Sequence, residues 1–122
     1  MPLCLLDKNI RKQRRKSVKK PEAMLVSSCM EYLSIRGAQV IRNNTGLLFI
    51  KDKNGKSRAI KTGSPGSPDL IAFLPEGRVL CIECKSKKGK LSDLQKAFIE
   101  KMRKNKHEVV VIRSLEDLME VV

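Results

Sequence analysis

Aromatic side chains are nearly absent from this 122-residue chain, which has three Phe, one Tyr and no Trp, 3% in all. That scarcity argues against base stacking as the dominant way of holding any nucleic acid. Long apolar runs are missing too, so no segment has the sequence of a membrane span. The opening "MPLCLL" is too short for the core of a signal peptide, and basic residues follow it instead of preceding it. These absences lead us to expect an intracellular protein, cytoplasmic in a bacterium or phage-infected cell and nuclear in a eukaryote. Its four cysteines are then expected to be reduced. A single histidine, His107, and a single CxxC, Cys81 to Cys84, leave too few ligands for a zinc site of His and Cys. That CxxC lies in an apolar strand, where residues three apart point to opposite faces, so both thiols are read as small buried hydrophobes.

Acids are the other shortage. Thirteen Asp and Glu stand against 26 Lys and Arg, a formal charge of +13. Residues 1–20 hold eight Lys/Arg and one Asp, and this like-charge block is read as a flexible basic tail. Residues 21–122 form the single expected domain and still carry +6. A basic folded body points to a polyanionic partner gripped through its phosphates.

Along the domain, Pro21 suits the first turn of a helix. Leu25, Val26, Cys29, Met30, Tyr32 and Leu33 form one helical face, and Gly37 is the stop. A strand over 38–42, a hairpin turning at Asn54-Gly55, and a Gly/Pro-rich loop over 62–68 follow. "DLIAFLPEGRVLCIECK" reads as a second hairpin, "SDLQ" opens an amphipathic helix to about Lys104, and a strand over 108–113 precedes a short terminal helix. The pattern predicts an α/β domain, a mixed sheet flanked by helices.

The second hairpin raises a chemical question. A three-residue loop at Pro75-Glu76-Gly77 pairs Leu74 with Arg78, which sets Asp69 opposite Glu83. Two facing acids lie about 5 Å apart at Cβ and repel. A divalent cation with oxygen ligands would relieve them, and Lys85 shares their face. The alternative reading of Glu83 and Lys85 is a structural ion pair on a solvated face. On the first helix Glu22 falls within the apolar stripe, whereas Glu31 falls opposite it. Glu22 is also explained as a first-turn acid favoured by the helix dipole. Gln95 lies on the inward stripe of its own helix, and "SDLQ" gives it a second role in a capping box.

Together Glu22, "GSPD" (66–69), "ECK" (83–85) and Gln95 resemble the PD-(D/E)xK nuclease superfamily, and more narrowly its virus-type replication–repair nuclease family, VRR-Nuc. The likeness runs from about Glu22 to Leu118 and includes "YLSIRGAQVIRNNTG", "IECKSKKGKLSDLQKAF" and "VVVIRSLEDL". Cys84 departs from it, at a position where a larger aliphatic residue is common. The resemblance implies a restriction-endonuclease-like αβββαβ core and Mg²⁺- or Mn²⁺-dependent DNA cleavage. It implies metal ligands at Asp69, Glu83 and the Cys84 carbonyl, with Glu22 direct or through water. Lys85 would orient the attacking water or stabilise the charge developing on the phosphate, and Gln95 would position Lys85 or the phosphate. Arg42, Arg58, Lys61, Gly66, Ser67, Lys87, Lys88 and Lys90 are the candidate DNA contacts. Branched DNA such as a flap or four-way junction and a homodimer are the expected partners, with "LMEVV", Met24 and Ile35 as candidate contacts between copies. A non-catalytic DNA-binding module and a sequence-reading restriction-type nuclease are the alternatives.

Overall fold

A 15-residue helix, α1 (Pro21–Ile35), starts the computed structural model, which describes residues 21–43 and 46–122. The basic tail of residues 1–20 lies outside the described residues. Val26, Cys29 and Leu33, spaced three and four apart, are the buried face of α1. The helix ends where Gly37 takes φ 85°, and the amides of Gly37 and Ala38 close back onto the carbonyls of Ser34 and Leu33. This left-handed cap is why a glycine stands there.

The chain continues through β1 (Gln39–Arg42), β2 (Gly46–Lys51), β3 (Ser57–Thr62), β4 (Leu70–Phe73) and β5 (Val79–Cys84). Helix α2 (Asp93–Lys104), strand β6 (Glu108–Ile112) and helix α3 (Leu115–Met119) complete it. The central sheet has the order β1-β4-β5-β6; β5 and β6 run parallel and the other neighbours antiparallel. Elements α1, β1, β4, β5, α2 and β6 therefore make the expected αβββαβ core. Strands β2 and β3 do not join this sheet, although the sequence gives no sign of their separation. They pair only with each other, as a hairpin inserted between β1 and β4.

Burial on both sides of β5 follows from its central position: Leu80, Ile82 and Cys84 face one layer, Cys81 and Glu83 the other. The first layer joins these residues to Val26, Cys29 and Leu33 of α1, Leu70 and Ala72 of β4, and Leu118 of α3. The second joins Cys81 and Val109 to Ile99 of α2. Cys81 and Cys84 thus lie buried on opposite faces, as two apolar residues three apart in a strand must. Of the C-terminal "LMEVV", Met119 is exposed while the other apolar residues are covered. Leu118 is fully buried, Val121 and Val122 pack on the core, and Tyr32 Oη donates to the Val122 carbonyl at 2.9 Å. Met24 and Ile35 do stand exposed on α1. Among the described residues no helix is long and apolar enough to cross a membrane.

Candidate active site

The loop between β4 and β5 fixes the register on which the site depends. Glu76 turns the chain at φ 66°, Leu74 N–H donates to the Arg78 carbonyl at 2.7 Å, and Leu70 faces Ile82. Continuing that ladder by one residue brings Asp69 beside Glu83. The Asp69 carboxylate is held there by its backbone neighbour, with Cys84 N–H donating to Oδ2 at 2.9 Å.

Glu83 is 1% exposed, an extreme position for a carboxylate. Gln95 Nε2 donates to its Oε1 at 3.0 Å, while its Oε2 is buried with no hydrogen-bond partner. Burial first, and then the charge of Asp69, push the Glu83 carboxyl up to about 8. Lys85 acts against that shift, and Glu22 adds a weaker push in the same direction. Half-buried Lys85 extends the face of β5 that Glu83 occupies, and its N–H is anchored to the Ile112 carbonyl at 2.9 Å.

The capping box of α2 explains why Gln95 reaches Glu83 with its amide nitrogen. Gln95 Oε1 accepts from Ser92 N–H at 2.9 Å, and Ser92 Oγ accepts from Gln95 N–H. With the oxygen committed to the cap, the amide must point its donor at the acid. Gln95 therefore orients Glu83.

An orphaned carboxylate oxygen beside a second acid fits a cation, because an oxygen-seeking ion would satisfy Oε2 and relieve the repulsion together. The Cys84 carbonyl lies at the same point of the chain, while its thiol turns away to meet that of Cys29. This contact first, and then burial, hold the Cys84 thiol above the ordinary cysteine range. Among the described residues no three His, Cys, Asp or Glu side chains gather into a ready-made cation cluster. Glu22 accordingly approaches from the α1 layer, half-buried, and influences Glu83 without joining the Asp69–Glu83 pair. Glu31 is exposed.

The candidate DNA contacts divide. Lys87, Lys88 and Lys90 are exposed on the loop that follows Lys85. Arg42 faces Leu70, so it lies on the α1 side of the sheet and not on the face of Asp69. Arg58 pairs with Ile50 and Lys61 with Leu47, which puts these two cations on opposite faces of the β2–β3 hairpin. Gly66 and Ser67 hold the loop before Asp69 in shape. Ser67 is buried, its Oγ donating to the Ser64 carbonyl at 2.7 Å and accepting from Asn43 Nδ2 at 2.7 Å. Gly66 has φ +83°, and a Cβ there would lie 2.5 Å from the Leu94 carbonyl oxygen. It lets the loop before Asp69 close on the start of α2.

Gly66→Ala should therefore strain the loop and push on the first turn of α2, which carries Gln95. The left-handed conformation alone costs roughly 1–2 kcal/mol for an alanine. A melting temperature lower by at least about 4 °C is expected from thermal denaturation; an unchanged value would contradict the close approach.

Two residues without a sequence signal shape the surroundings. Asn43 binds the loop before Asp69: its N–H donates to the Asp69 carbonyl at 2.8 Å and its Nδ2 to the Pro68 carbonyl at 2.9 Å. Arg113 clamps the basic loop, donating through Nη1 to the carbonyls of Ser86 at 2.7 Å and Gly89 at 2.6 Å. Both act across 24 residues or more, and only the folded chain reveals such bonds.

The sequence matches the VRR-NUC domain family over residues 38–116. A solved structure described as a VRR-NUC domain is similar at TM-score 0.63 and 23% identity, covering 84% of this chain and 95% of that one. No curated protein gives a significant match.

Proposed function

Because the chain belongs to the VRR-NUC domain family, a family of nucleases, we propose that it is a divalent-cation-dependent DNA endonuclease acting as a homodimer on branched DNA. The observation that carries this reading is the buried Glu83 carboxylate, with one oxygen unpartnered, beside Asp69 and Lys85. Asp69, Glu83 and the Cys84 carbonyl would hold Mg²⁺ or Mn²⁺, with Glu22 acting at longer range. A bound cation supplies polarisation of the scissile phosphodiester and a more acidic water.

The chain's own groups do the rest. Cys84 N–H fixes the Asp69 carboxylate, and Gln95 leaves one oxygen of Glu83 free by occupying the other. Lys85 sets a positive charge against the phosphoryl oxygens as negative charge develops on them. Lys87, Lys88 and Lys90 hold neighbouring phosphates, on a loop whose shape Arg113 maintains. Residues 1–20, taken as a basic tail, add affinity that falls with salt.

One such site cuts one strand, so two related by a two-fold axis would suit the paired cuts of a four-way junction. Exposed Met24 and Ile35 offer apolar surface for that pairing. The test offers labelled four-way junction, flap, splayed arm, duplex and single strand in parallel, with Mg²⁺, Mn²⁺ or EDTA. Light scattering supplies the mass. Cation-dependent cleavage that favours the junction, from a dimer, is expected. A monomer cutting linear duplex equally well would reject the dimer and the preference, and cleavage in EDTA would reject the cation.

A further inference from the structure

The β2–β3 hairpin leaves both of its faces uncovered. Its two strands pack chiefly on each other, and Leu48, Phe49, Ile50 and Ile60 are all exposed. An isolated two-stranded ribbon is marginally stable in water, so an outside partner is expected to cover it. Its charge selects the partner. Lys51, Lys53, Lys56, Arg58 and Lys61 stand against the lone Asp52, whose Oδ1 is engaged by the turn amides of Asn54 and Lys56. None of the five cations forms an ion pair among the described residues. Five unneutralised cations on so short a ribbon suit a phosphate backbone and disfavour a second copy of the same basic arm.

The register sharpens this to one face. Phe49 pairs with Ala59, and the side chains of Lys51 and Lys61 share its face, one toward the tip and one toward the root. Each lies about 7 Å from Phe49, along the strand or on the diagonal. The small Ala59 leaves the ring uncrowded, and Phe49 at 69% is the most exposed large apolar side chain among those described in the hairpin. A cation, a flat ring and a cation in line match a nucleotide chain, which offers phosphate, base and phosphate in the same order. The base must be unpaired, because a paired one has no free face to offer. The hairpin is also rooted at the site: Asn43, where the chain leaves β1, bonds to Ser67, Pro68 and Asp69, where it returns.

We propose that this hairpin is a DNA-binding arm that stacks an unpaired base on Phe49 between phosphates held by Lys51 and Lys61. The assignment rests on the nuclease reading for its substrate and favours flaps and splayed arms, whose branch points expose unpaired bases beside the strand to be cut.

The test measures binding of the full chain in EDTA, apart from cleavage, by fluorescence anisotropy on a splayed arm and a blunt duplex of equal length. A 2-aminopurine at the branch point reports stacking. Phe49→Ala should weaken splayed-arm binding roughly 10-fold, leave the blunt duplex unchanged and abolish the 2-aminopurine quenching. Phe49→Trp should retain both binding and quenching. Lys51→Gln with Lys61→Gln should lower the salt-dependence slope by about 1.4, and Phe49→Ala should leave that slope alone. Equal losses on both DNAs, or unchanged quenching in Phe49→Ala, would overturn the stacking role. A dimer-to-monomer shift in Phe49→Ala, with binding per protomer unchanged, would instead assign this face to a second copy. Failure of the wild type to cleave with Mg²⁺ or Mn²⁺ while these binding effects persist would count against the nuclease reading and leave the arm standing.

Discussion

Asp69→Asn, Glu83→Gln and Lys85→Ala should each lower DNA cleavage by at least about 100-fold and leave the folded chain able to bind DNA. Asparagine keeps an oxygen to accept the Cys84 N–H, so the strand end survives while one anionic ligand is lost. Glutamine at position 83 keeps the volume of a fully buried side chain and can still accept from Gln95, but it gives up the charge a cation would need. Lys85→Ala removes the only cation that opposes the raised Glu83 pKa, and with it the positive charge nearest a bound phosphate. Glu22→Gln should fall between these variants and wild type, because Glu22 reaches the acid pair only weakly. Exposed Glu31 serves as the silent control. Single-turnover cleavage at saturating enzyme measures the series, with anisotropy in EDTA checking that binding persists. If Asp69→Asn cut as fast as wild type, the reacting centre would have to lie elsewhere.

The readable part of this site came from local rules that leave little freedom. A three-residue loop between two apolar runs permits one register, and that register carries Asp69 to Glu83. The Ser92–Gln95 box was legible for the same reason, since a hydroxyl three residues before an amide has one cap geometry to make. What failed was inference about partners. Residues 46–62 alternate and turn like any hairpin, and nothing local says whether such a ribbon joins a sheet or leaves it. The faces of Arg58 and Lys61 could have been separated by parity alone, because their numbers differ by three. Gly66 was assigned to a ligand because a glycine-rich loop invites one, yet its empty side-chain position is filled by the Leu94 backbone. Asn43 and Arg113 hold distant carbonyls, and such bonds leave no periodicity to read.

The buried acid should also make the cation-free protein less stable as pH rises. With its carboxyl pushed from 4.5 to about 8, folded Glu83 keeps a proton that the unfolded chain releases above roughly pH 4.5. The native state therefore binds more protons than the unfolded state between those values, and unfolding free energy falls with pH across that window. The stabilisation from protonated Glu83 is complete below about pH 4.5 and lost by pH 8. Glu83→Gln cannot titrate, so its stability curve lacks this slope. In EDTA the two proteins should melt at similar temperatures near pH 5, and the variant should melt higher at pH 8 by on the order of 10 °C. Carboxylates away from the Asp69–Glu83 pair, such as Glu108 paired with Arg78, titrate alike in both proteins and cancel in the difference. Mg²⁺ or Mn²⁺ at pH 8 should raise the wild-type melting temperature and leave Glu83→Gln nearly unmoved, because a bound ion compensates the charge that burial exposes to Asp69. Parallel melting curves for the two proteins from pH 5 to 9 would mean that Glu83 is ionised throughout, and that neither burial nor Asp69 holds its proton.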